Sequence, residues 1–144
     1  MNNHLKYKVL VITRSELICH IFHIIASYFQ WFTFSVADNA EVGYMMFQEE
    51  QFDLALIEPY GFYTLEIDED IMAVAEEIKN SSSIPIVYLG PTEIPNVIKA
   101  IFHEKVIFPF DRKQLESALN RALQLAFGSS AMQSASAAPA RERS

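Results

Sequence analysis

A single carboxylate closes the most apolar stretch of the chain. Residues 52–60 read F-D-L-A-L-I-E-P-Y, with Leu54, Ala55, Leu56 and Ile57 between Asp53 and the pair Glu58-Pro59. A run of that length with no polar alternation suits a strand buried on both faces, at the centre of a parallel sheet. Glu58 would then stand at the carboxyl end of a central strand, where open α/β sheets place their ligand sites. A carboxylate there can act as a nucleophile, a metal ligand or a fixed charge. Two other sets are weighed against it. His20 and His23 share a helical face, but no third metal ligand is in sight, and they read as part of a solvated stripe. Glu66, Asp68, Glu69 and Asp70 match no calcium-loop spacing; they read as carboxylates at the positive end of a helix dipole.

The elements that must position Glu58 follow from the pattern. Residues 8–13, K-V-L-V-I-T, form a second continuous apolar run and a first strand, and Ser15 caps the helix after it. In that helix Glu16, His20, His23, Ser27 and Gln30 make one polar stripe, and Leu17, Ile18, Ile21, Phe22, Ile25, Tyr28 and Phe29 cover the rest. Residues 32–37 read as an edge strand. A helix over about 40–50 follows, with Val42, Met45, Met46 and Phe47 inward. An aromatic loop after Glu58 leads to a helix ending near Asn80. Residues 84–89, I-P-I-V-Y-L, give a fourth strand ended by Gly90-Pro91. A short helix carries Ile94, Val97, Ile98, Ile101 and Phe102. Residues 105–108 form a fifth strand, and Asp111 caps a last helix that Gly128 stops.

Five strands alternating with five helices predict an α/β, flavodoxin-like parallel sheet of order 2-1-3-4-5, with helices on both faces. The domain spans 1–127; the Ser- and Ala-rich residues 128–144 form a disordered tail. That order sets Thr13 and Arg14 beside Glu58.

Composition narrows the function. A chain of 144 residues that is 51% hydrophobic can bury a core, and its net charge of −7 opposes nonspecific nucleic-acid binding. Cys19, the one cysteine, excludes an internal disulfide and reads as a small buried side chain. No signal peptide and no membrane span is expected, so the location expected is cytoplasmic.

The segments K-V-L-V-I-T-R-S, F-D-L-A-L-I-E-P, I-P-I-V-Y-L-G and F-P-F-D-R-K-Q-L resemble the CheY-like receiver domain of bacterial two-component response regulators, over about residues 7–127. In that family the third strand ends in the aspartate that accepts a phosphoryl group; Glu58 holds that position. The two acidic residues that hold Mg²⁺ after strand one are here Thr13 and Arg14. The Thr or Ser after strand four is Gly90, the Lys before the Pro-Phe pair is Phe108, and the aromatic switch position is Lys105. The resemblance thus implies a degenerate receiver. Such a pseudo-receiver is expected to be no enzyme, to have lost Mg²⁺ binding and to work through a protein partner in a two-component or phosphorelay-type pathway. Two alternatives stand beside it: a regulator still phosphorylated, on Glu58, and a flavodoxin-like domain that binds a small ligand. Against the latter, there is no G-x-G-x-x-G and no P-loop. Arg14 is expected to pair with Glu58. The resemblance also implies a docking or homodimer surface on the fourth helix, fifth strand and fifth helix, with Val106, Ile98 and Ile101 in it, where a short fourth helix would leave Val106, Phe108 and neighbouring apolar surface uncovered.

Overall fold

The computed structural model describes residues 6–61 and 64–127. Gly128 as a helix stop and the reading of 128–144 as a disordered tail lie outside the described residues. The strands are β1 (Tyr7–Ile12), β2 (Phe32–Ala37), β3 (Leu54–Ile57), β4 (Ile86–Gly90) and β5 (Glu104–Ile107). They form one sheet in the order β2-β1-β3-β4-β5, every pair parallel. The α-helices are α1 (Glu16–Ile25), α2 (Ala40–Glu49), α3 (Glu69–Ser81) and α4 (Arg112–Phe127). The fifth helical position, between β4 and β5, is a 3-10 helix, Asn96–Ile101. Pro95 precedes it and offers no N–H to a longer ladder.

The helix starts are written in the sequence. Ser15, Asn39 and Asp68 accept from the amides of Ile18, Val42 and Ile71. Asp111 and Gln114 make a reciprocal pair at the start of α4: each backbone amide donates to the other's side-chain oxygen at 2.8 Å.

Alternation along the central strands splits the core into two layers. Val9, Val11, Leu54 and Leu56 face the side of α1 and α4, where Ile18, Phe22, Leu115 and Leu119 pack. Leu10, Ile12, Ala55 and Ile57 face the side of α2 and α3, where Ile71, Ala75 and Ile78 pack. β3 is buried at every residue. Its lack of polar alternation is explained by helices on both faces.

Some apolar positions expected to be covered face solvent. Met45 in α2 is exposed, and the contacts to the core there come from Val42, Met46 and Phe47. In the 3-10 helix Val97 is 86% exposed, because three residues per turn cannot keep 94, 97, 98, 101 and 102 on one face. α1 carries apolar residues on two faces: Ile18 and Phe22 are buried, while Leu17 and Ile24 are exposed.

Candidate functional site

The register of β1 on β3 sets Ile12 beside Ile57, so the next residues, Thr13 and Glu58, meet at the carboxyl edge. The Glu58 amide donates to the Ile12 carbonyl at 2.9 Å. Both side chains lie in the interior, Thr13 fully and Glu58 with 8% exposed. The Thr13 hydroxyl donates to Glu58 Oε1. Its oxygen also accepts from the Ser15 amide at 3.0 Å, so one side chain holds the carboxylate and orders the turn into α1. Burial pushes the Glu58 carboxyl above the ordinary range, and the Thr13 hydrogen bond works against that rise.

Arg14 does not pair with Glu58. Its guanidinium reaches Asp68, with Nη1 at 3.2 Å from Oδ2. The other oxygen of Asp68 accepts from the Ile71 amide at 3.0 Å and caps α3. The reason is placement: Arg14 is exposed on the edge, whereas Glu58 lies beneath it, already engaged by Thr13. An exposed pair of this kind contributes about 0.2–1 kcal/mol. Arg14→Ala should therefore lower stability by less than about 1 kcal/mol in urea unfolding. Asp68→Ala also removes a helix cap and should cost about 1 kcal/mol more.

Gly90 belongs to β4 and pairs with Ile107; it is no turn residue. A Cβ there would lie 2.3 Å from the Tyr88 hydroxyl oxygen and 3.0 Å from Tyr60 Cε2. Residues two apart on a strand share a face, and the Tyr88 ring leans along the strand over Gly90. Its hydroxyl donates to the Thr92 carbonyl oxygen at 2.9 Å and lies within hydrogen-bond distance of the Tyr60 hydroxyl, at 3.0 Å. Burial first, then the Tyr60 hydrogen bond, holds this phenol above the ordinary tyrosine range. Nothing in periodicity alone marks Tyr88, Tyr60 and Thr92. The Tyr-Leu-Gly spacing, which sets the ring on the glycine's own face, is the signal that could have found them.

Lys105 pairs in register with Tyr88, so an aromatic does occupy this level of the sheet, supplied by β4. The Lys105 ammonium is held by Glu93 on the surface. Phe108 is half-buried; its amide donates to the Gly90 carbonyl at 2.8 Å and its ring stacks on Phe110. The uncovered apolar surface expected at Val106, Phe108 and their neighbours is corrected: Val106 and Ile98 are buried, Phe108 is half-buried, and Ile101 is half-buried and packed on the α2–α3 side.

The chemistry available at this edge is limited. Among the described residues no three His, Cys, Asp or Glu side chains cluster as metal ligands. His20 and His23 border a hollow with Cys19 and Asp38. Burial first, then the Asp38 and Glu58 charges, keeps the Cys19 thiol above its ordinary range and so protonated. No helix among the described residues is long and apolar enough to cross a membrane.

No family model matches the sequence, and no curated protein matches it. Solved structures do. The signal receiver domain of an HD domain-containing protein from Pseudomonas fluorescens superposes with a TM-score of 0.66 at 16% identity, covering 84% of this chain and 97% of that one. The chemotaxis protein CheY4 of Vibrio cholerae gives 0.64 at 19% identity, covering 81% and 98%. The response regulator TrrA from Thermotoga maritima, in complex with Mg²⁺-BeF, gives 0.65 at 17% identity, covering 81% and 98%. With its five-stranded parallel sheet in the order 2-1-3-4-5, this chain has the CheY-like fold of response-regulator receiver domains.

Proposed function

We propose that this chain is a pseudo-receiver: a signalling domain that works by contact with a protein partner in a two-component or phosphorelay-type pathway of the cytoplasm, without carrying phosphate and without enzymatic activity. One observation supports this most: the one buried carboxylate at the active edge is occupied by the Thr13 hydroxyl, in the position where the family resemblance would set a metal ligand.

Phosphoryl transfer depends on positioning and on neutralising charge on the equatorial oxygens. Mg²⁺ requires near-octahedral oxygen ligands, carboxylates among them. Here Glu58 is bound to Thr13, and Asp68 caps a helix and takes up the Arg14 guanidinium. This donor set does not fit Mg²⁺. At the position equivalent to the hydroxyl of ordinary receivers stands Gly90, with the Tyr88 phenol over it. At the position equivalent to the lysine stands Phe108, whose ring carries no charge.

The reading is tested by adding Mg²⁺ with beryllofluoride while recording two-dimensional amide spectra. The Thr13, Glu58 and Gly90 amides should stay in place. Saturable shifts at those three amides would contradict it. Trp31 fluorescence is a poor substitute, because its carbonyl accepts from the Tyr7 amide at the opposite end of β1.

A further inference from the structure

The exposed face of α1 is an apolar feature that the site does not use. Leu17, Ile21, Ile24 and Tyr28 recur at intervals of four, three and four, the spacing of a coiled-coil seam. Leu17 is 68% exposed, Ile24 56% and Tyr28 63%. Tyr28 lies in the single 3-10 turn, Ala26–Tyr28, that extends α1. At the Leu17 end the seam opens into an apolar hollow of about 410 Å³, floored by Ile21, Phe108, Pro109 and Phe110. One end of the seam thus carries a hollow and the other a projecting aromatic ring.

That arrangement is self-complementary. We infer that α1 pairs antiparallel with α1 of a second copy of this chain about a two-fold axis between Ile21 and Ile24. Leu17 and Tyr28 are eleven residues apart, roughly 16 Å along a helix. Antiparallel pairing sets each Tyr28 ring in the partner copy's hollow and Ile21 against Ile24, as an isologous interface requires. Charge fits the same register. Glu16 is next to Leu17, and Arg112 reaches the Tyr28 carbonyl at 3.5 Å. Neither takes part in a described ion pair, and the pairing brings each Arg112 to the other copy's Glu16. The buried strip is short of the roughly 800 Å² per partner of a standard interface, so the dimer is weak and depends on concentration. This inference is independent of whether the chain takes phosphate, and it sets the dimer on α1 rather than on β5.

Sedimentation equilibrium of the full chain from about 10 μM to 1 mM, a range matched to weak association, should show a monomer–dimer equilibrium. Leu17→Asp and Ile24→Asp replace exposed residues, so circular dichroism should show them folded; each should weaken the dimer by roughly 30-fold or more. Glu16→Arg should weaken it, and the double variant Glu16→Arg/Arg112→Glu should restore it. A monomer throughout the range would overturn the inference. So would a dimer indifferent to Leu17→Asp and Ile24→Asp, which would mean another surface.

Discussion

Gly90→Thr, which would put a hydroxyl side chain at the last residue of β4, is expected to destabilise the domain by about 3 kcal/mol, the upper range for overpacking a filled core. The new Cβ would meet the Tyr88 oxygen at 2.3 Å and Cζ at 2.6 Å. The far end of a side chain often yields cheaply, but this one is held. Tyr88 is fully buried, its ring packs edge-on against Phe102 at 5.4 Å, and its hydroxyl bridges Tyr60 and Thr92. To move, it must give up those hydrogen bonds inside the core. Urea unfolding of Gly90→Thr, Tyr88→Leu and the double variant separates the causes. The double variant should be more stable than the sum of the two losses implies, because the smaller side chain removes the collision. Additive losses would show that Tyr88 is not what excludes a side chain at position 90.

Thr13→Val should cost about 3 kcal/mol at neutral pH, since it deprives a buried carboxylate and the Ser15 amide of their partner at once. The cost depends on pH in a defined direction. Glu58 has a raised carboxyl in the folded state, so its contribution to stability is present below the ordinary carboxylate value of 4.5 and is lost as pH rises through the folded value. Removing Thr13 takes away the interaction that opposes the rise, so the loss extends further. Thr13→Val should therefore be mild near pH 4.5 and severe at pH 7. Glu58→Gln should stabilise the protein at pH 7 relative to the acid limit and flatten this dependence. Chemical denaturation of the three proteins across that interval checks the sign. A Thr13→Val cost that is equal at both ends would mean that Glu58 is not the group concerned.

The fold was legible because the strands announce themselves. Residues 8–13 and 54–57 are continuous apolar runs, which a sheet covered on both faces requires, and Ser15 and Asp111 mark helix starts by their own chemistry. The meeting of Thr13 with Glu58 followed from the strand order alone. The partners of the charged groups did not follow. Arg14 has a flexible side chain, and whether it reaches down to Glu58 or across to Asp68 depends on depth beneath the surface, which no spacing encodes. In the sequence Tyr88 is no more than part of a strand, since the direction of its ring is fixed by packing against Phe102 and Tyr60. Spacing is equally silent on what covers Val106 and Ile98: Val106 packs in the layer of Leu115 and Leu119 on the α1–α4 side, and Ile98 packs on the α2–α3 side.

On the proposed reading, a receiver fold is used here without phosphoryl chemistry. An acceptor carboxylate needs a metal to bridge it to the phosphate and a cation on the remaining oxygens. Glu58 brings the carboxylate alone, and Thr13 occupies it. Incubation with acetyl phosphate and Mg²⁺, followed by intact mass measurement, tests this directly. The mass should remain that of the unmodified chain. A gain of one phosphate that disappears in Glu58→Ala would contradict the account and establish the chain as a working response regulator.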